Sequence, residues 1–250
     1  MMKKRPLLEV CVDSPAGLAA ALAGGAERIE LCSALALSGL TPSPGLMALA
    51  TQAPAPVYAM IRPRPGDFVY AARELDAMRR DIDAVRAAGL AGVVFGATTR
   101  TGAPDEAALA MLIGHAAGLG ATLHRAFDLA PDLEAALEMA VGLGFERVLT
   151  SGGEVTALAG AAGIAKLVSQ AAERIGVMAG AGVSAATVAE VIRLTGVAEV
   201  HASCSAPPPP AAAPWAGKAA KLGFLDARLK ETDRASVADL IQQLQYLITE

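Results

Sequence analysis

The chain has 250 residues, 54% of them hydrophobic and 18% charged, with a net charge of −4. A chain this long and apolar buries a core and is not disordered. Its acidic balance and 4% aromatic content exclude an electropositive nucleic-acid surface and a base-stacking platform. No run reaches the roughly 18 apolar residues of a spanning helix. The basic start Lys3-Lys4-Arg5 leads into Leu7-Leu8-Glu9-Val10-Cys11-Val12-Asp13, whose acids are foreign to a secretory signal. With three cysteines and no CxxC spacing, the expectation is a cytoplasmic protein with reduced thiols and no membrane partner.

Short β-prone runs alternate with Ala-rich helical stretches, the pattern of βαβ units and a parallel sheet. Eight strands are predicted: Leu7–Val12, Arg28–Leu31, Val57–Arg62, Gly92–Phe95, Thr122–Arg125, Arg147–Thr150, Ile175–Met178 and Glu199–Ala202. Ser14-Pro15, Ser43-Pro44 and Ala103-Pro104 read as helix starts. Gly24-Gly25, Gly89, Gly118, Gly144 and Gly196 read as helix stops. Eight units could close into a barrel or lie open as a doubly wound sheet. No GxGxxG follows the first strand, and charges recur inside several strands, which suits a barrel lumen. The expected fold is therefore α/β, a single-domain parallel (β/α)8 TIM barrel spanning residues 1–250. A proline-rich segment at 206–215 reads as a mobile extended loop over the mouth, and a closing helix is expected at about 235–248.

Alternate residues of a strand share a face. Leu8, Val10 and Val12 face the helices, which sends Glu9, Cys11 and Asp13 inward. The same parity places Glu30, Cys32, Arg62, His124, His201 and Ser203 on the inner face, with Asp128 just past the fifth strand. Buried acids need partners, and such networks at the C-terminal ends of barrel strands belong either to an active site or to lumen glue. Glu9, Glu30, His124 and Asp128 are candidates for general acid–base chemistry. Arg62 and Arg64 could clamp an anion, helped by the turns carrying Ser151, Gly152, Gly180, Gly182, His201 and Ser203. Cys11 and Cys32 are expected at matching heights on neighbouring strands, with Cys204 at the same edge once the barrel closes. Three such thiols either hold a soft cation such as Cu(I) or simply pack.

Several segments resemble the CutC family of copper homeostasis proteins. They are Leu7-Leu8-Glu9-Val10-Cys11-Val12-Asp13-Ser14, Gly25-Ala26-Glu27-Arg28-Ile29-Glu30-Leu31-Cys32, Met60-Ile61-Arg62-Pro63-Arg64-Pro65-Gly66-Asp67-Phe68-Val69-Tyr70 and His124-Arg125-Ala126-Phe127-Asp128. The likeness runs from about residue 7 to 205. It implies a βα barrel, assembled as a homodimer or higher homo-oligomer, that handles cytoplasmic copper with Cys11 and Cys32 as Cu(I) ligands. Two departures stand out: His201-Ala202-Ser203 replaces the usual His-Gly-Ser, and Gly180-Ala181-Gly182 replaces a glycine triplet. Two functions are thus carried forward: copper binding, and an enzyme acting on a small anionic metabolite.

Overall fold

The computed structural model describes residues 5–207, 214–224 and 229–247. Eight parallel strands close into a barrel in sequence order: β1 (Leu7–Val12), β2 (Arg28–Leu31), β3 (Val57–Met60), β4 (Gly92–Phe95), β5 (Gly120–Leu123), β6 (Arg147–Thr150), β7 (Gly176–Ala179) and β8 (Glu199–Ala202). β8 returns beside β1, with His201 opposite Glu9. Helices α1 (Pro15–Gly24), α2 (Pro44–Ala50), α3 (Ala72–Ala88), α4 (Glu106–His115), α5 (Leu133–Leu143), α6 (Ala161–Ala171) and α7 (Val188–Thr195) cover the outside. A short α8 (Ala216–Lys221) precedes α9 (Arg234–Tyr246), which packs against α1 and α7.

Three strands differ from their expected bounds. β3 stops at Met60, so Arg62 lies beyond the sheet, and β7 runs one residue later than predicted. β5 begins earlier and ends at Leu123, because His124 caps a 3-10 turn over Arg125–Leu129. Ser14 and Ser43 cap their helices as expected, their hydroxyls accepting from the N–H groups of Gly17 and Leu46. Ala103-Pro104 does not open α4. Pro104 bridges back to Thr98, and the next residue, Asp105, caps the helix. The centre of the proline-rich segment, 208–213, lies outside the described residues. Its start forms β9 (Ser205–Ala206), paired antiparallel with β10 (Glu231–Thr232) as a small flap beside the mouth.

The main core lies between barrel and helices. It takes Leu8, Val10, Val12, Ile29 and Leu31 from the strands and Met78, Ile82 and Val85 from α3, whose spacing puts them on one helical face. The lumen is filled differently. Near the strand starts, buried Arg28 bonds Glu9 and Glu199, and its third contact is the Met178 sulfur at 3.2 Å. Arg147 joins the same layer, 3.3 Å from Glu199 and 3.0 Å from Thr122 Oγ1. Both guanidinium groups lie over the Tyr58 ring, at 5.8 and 4.8 Å. That ring fits only because Gly92 and Gly120 flank it, since a Cβ at either would overlap the ring.

Arg28 therefore neutralises two carboxylates in a dry layer. Replacing it with methionine keeps a similar chain length and removes the one cation shared by both carboxylates, leaving Glu9 to His201 and Glu199 to Arg147. Arg28→Met should lower unfolding free energy in urea by about 3–5 kcal/mol, and an unchanged midpoint would refute this role.

Candidate functional site

Above the ionic layer the barrel opens into a cavity of about 650 Å³, in the size range of small-molecule sites. Cys11, Asp13, Glu30, Met60, Arg62, His124, Asp128, His201 and Ser203 are among its lining residues. Each comes from the C-terminal part of a strand or the loop that follows, the end where barrels carry their chemistry.

On the side of β1, β2 and β8, Cys11 Sγ, a Glu30 carboxylate oxygen and a His201 ring nitrogen all lie within 4.8 Å of one another. Register creates this group. Cys11 pairs with Glu30, and His201 pairs with Glu9. Glu9 lies beneath, fully buried, with Oε1 2.8 Å from His201 Nδ1. Burial opposes charge on Glu9, yet hydrogen bonds from His201 and Arg28 hold its carboxyl down at about 2. Glu9 is thus a fixed anion that orients His201 and turns Nε2 toward Glu30 Oε2, 3.8 Å away. Burial opposes charge on the imidazole as well, but the Glu30 and Cys11 charges and the Glu9 contact outweigh it and raise its pKa well above the usual 6.5. Burial pushes the Glu30 carboxyl up. Its Oε1 has no hydrogen-bond partner among the described residues.

The three thiols do not meet at one point. The register sets Cys11 level with Glu30, so Cys32 stands a further step up the barrel and not at the expected matching height. Strand stagger in a closed barrel produces such offsets. Cys32 packs with Tyr58, Met60 and Val94, its Sγ 3.5 Å from Glu30 Oε2, and burial raises its pKa well above the ordinary thiol value. Cys204 lies past the end of β8 in a left-handed conformation (φ 44°), packs against the core, and is absent from the cavity lining. Burial pushes its thiol up to about 12.

The remaining candidates divide by how their polar atoms are engaged. Arg62 lines the cavity, but its terminal nitrogens donate to the carbonyls of Leu37, Gly39 and Gly66. Arg64 is absent from the lining. It bonds Glu74, Asp67 and the Val69 carbonyl over the Tyr70 ring. Asp128 accepts from the Ser151 and Gly153 N–H groups at 3.1 and 3.2 Å, from the Ser151 and Thr150 hydroxyls, and from Arg125. Its carboxylate thus occupies the anion cradle that Ser151-Gly152-Gly153 would otherwise offer. Gly180 donates to the Thr150 carbonyl and lies beneath the cavity wall, whereas Gly182 is part of it. Ser203 Oγ is 3.0 Å from Ser205 Oγ.

His124 is held differently. Its Nδ1 accepts from the Ala126 N–H at 3.2 Å, which leaves the ring proton on Nε2, and Nε2 has no partner among the described residues. The Phe68 ring packs against it at 4.9 Å between centroids. Phe68, Lys230 and Thr232 also line the cavity. They escape strand-parity reasoning because they sit in a loop and in the C-terminal flap. Phe68 lies inside the motif that begins at Met60, which was a signal available for it.

Burial lowers the His124 pKa from about 6.5 to about 4. The unfolded chain therefore takes up a proton that the folded chain refuses until pH falls to about 4, so stability declines across that window as pH drops. Asparagine at 124 keeps a capping acceptor without the titration. Between pH 7 and pH 4 the wild-type chain should lose on the order of 3 kcal/mol more than His124→Asn in urea unfolding. Parallel acid limbs would contradict this.

The CutC family profile matches residues 6–206. A CutC family protein of Caulobacter vibrioides is 58% identical over 247 residues, covering 99% of this chain and 100% of that one. Another, from Sinorhizobium medicae, is 55% identical over 233 residues, covering 93% and 94%. Among solved structures, a proposed copper homeostasis protein CutC from Streptococcus agalactiae matches with a TM-score of 0.76 and 33% identity, over 79% of this chain and 98% of that chain. With the matched profile and these relatives spanning nearly its whole length, this chain belongs to the CutC family.

Proposed function

We propose that this chain binds copper at the floor of the barrel mouth through Cys11 Sγ, His201 Nε2 and the Glu30 carboxylate, as a cytoplasmic copper homeostasis protein. The observation that carries the proposal is the convergence of one ligand atom from each residue within 4.8 Å. A thiolate and an imidazole are ligands that suit copper, and the carboxylate completes a three-donor set. Glu30 Oε1, buried without a partner, is an acceptor that a cation would satisfy.

The layer beneath supports the same assignment. Glu9 on His201 Nδ1 is the carboxylate–histidine pairing that fixes the tautomer and ring orientation of a metal-binding imidazole. Cys32 touches the Glu30 carboxylate and acts on the site through it. Cys204 stands outside the three-residue group and outside the cavity lining.

Binding displaces a proton from His201, whose pKa lies well above the usual value, so affinity should rise with pH. Anaerobic Cu(I) titration against a chromophoric competitor tests the assignment. Cys11→Ser and His201→Gln should each weaken binding at least about tenfold, and Glu9→Gln by about 10- to 100-fold. Cys32→Ser and Cys204→Ser should stay within about twofold of wild type, near the resolution of a competition assay. Equal affinity across the set would refute the site.

A further inference from the structure

The copper site accounts for one wall of the cavity, and about 650 Å³ is far more than a metal ion fills. The opposite features have a chemistry of their own. After β7 the chain passes through Ala181 and Gly182 with φ of 73° and 71°. That region is unfavourable for a residue with a side chain and is worth explaining when alanine adopts it. Ala181, Gly182 and Val183 all line the cavity, and among the described residues no acceptor meets their N–H groups or that of Ser203. Lys230 reaches the same rim from the flap, without a carboxylate partner among the described residues. Strand order makes these contributors neighbours, since β7 pairs with β8 and β9 follows β8 directly, paired with β10.

A second, independent feature points to a ligand. His124 is 4% exposed, lines the cavity, and keeps an unpartnered Nε2–H donor. A buried donor left unpaired is costly, and here an acceptor oxygen brought by a ligand would satisfy it. The cradle after β6 cannot serve as the anion site, because Asp128 fills it. The free amides after β7 and β8 remain, at the position where barrels commonly seat a phosphoryl group.

From this we infer that the cavity binds a small phosphorylated carbonyl or carboxylate compound. Its phosphoryl group sits on the Ala181–Val183 and Ser203 amides beside Lys230, and its carbonyl or carboxylate oxygen accepts from His124 Nε2–H. The assignment is independent of the copper site, whose three ligands it does not use.

The test uses metal-free full-length protein and isothermal titration at constant ionic strength, with 2-phosphoglycolate, inorganic phosphate and glycolate as probes. Phosphoglycolate should bind at least about tenfold more tightly than phosphate, and glycolate should bind weakest. Lys230→Glu, a change at an exposed side chain, should weaken phosphate and phosphoglycolate alike by about tenfold. His124→Asn should reduce phosphoglycolate affinity toward that of phosphate and leave phosphate unchanged. Absence of saturable binding, or equal affinities in wild type and both variants, overturns the inference. Copper does not enter the measurement, so its failure and the failure of the copper site are separate results.

Discussion

Arg28 enters the lumen at the start of β2 and lies between Glu9 and Glu199, in a layer where it is 3% exposed. A guanidinium in so dry a place needs the two carboxylates and the sulfur around it, and it is the cation they share, with His201 on Glu9 and Arg147 beside Glu199 completing the layer. Arg147 and Tyr58 extend the layer across the barrel. Where many barrels pack branched aliphatic residues in the lumen, this one cross-links β1, β2, β3, β6 and β8 with charge.

The chemistry at the mouth inherits its order from that layer. Glu9 is pinned from below by Arg28, so its remaining oxygen can hold His201 in one orientation. His201 then presents Nε2 to Glu30 and Cys11. A rigid anion under the imidazole fixes its orientation without using an atom of the Cys11–Glu30–His201 group. The electrostatic balance also explains why the two lumen histidines differ. His201 faces carboxylates and is held protonated, whereas His124 has no anion against it and is held neutral.

The loops divide the same way between closed and open. After β6 the chain makes a glycine-rich turn suited to an anion, and Asp128 supplies one from within. After β7 and β8 the N–H groups of Ala181, Gly182, Val183 and Ser203 meet no acceptor among the described residues. Arg62 and Arg64 resemble anion clamps in type, but the terminal nitrogens of Arg62 tie the loops after β2 and β3 together, and Arg64 holds the loop after β3. Residue type alone overstates the positive charge available at the mouth.

The barrel, its eight strands and the inward set Glu9, Cys11, Glu30, His124 and His201 were legible in the chain. Period-two alternation and glycine stops are local properties that a sequence displays directly. Strand ends were less legible where a tertiary contact intervened, as at His124, whose ring caps the turn that follows. Which inward residues meet was not legible. The grouping of Cys11 with Glu30 and His201 instead of with Cys32 and Cys204 follows from inter-strand register and from the left-handed turn at Cys204. Register is set by barrel closure and stagger, a property of all eight strands together. The sequence by itself determined the fold and which side chains enter the lumen, because alternation is written residue by residue. Only the tertiary structure decided which of them touch and which charges are already satisfied, because both depend on residues brought together from distant parts of the chain.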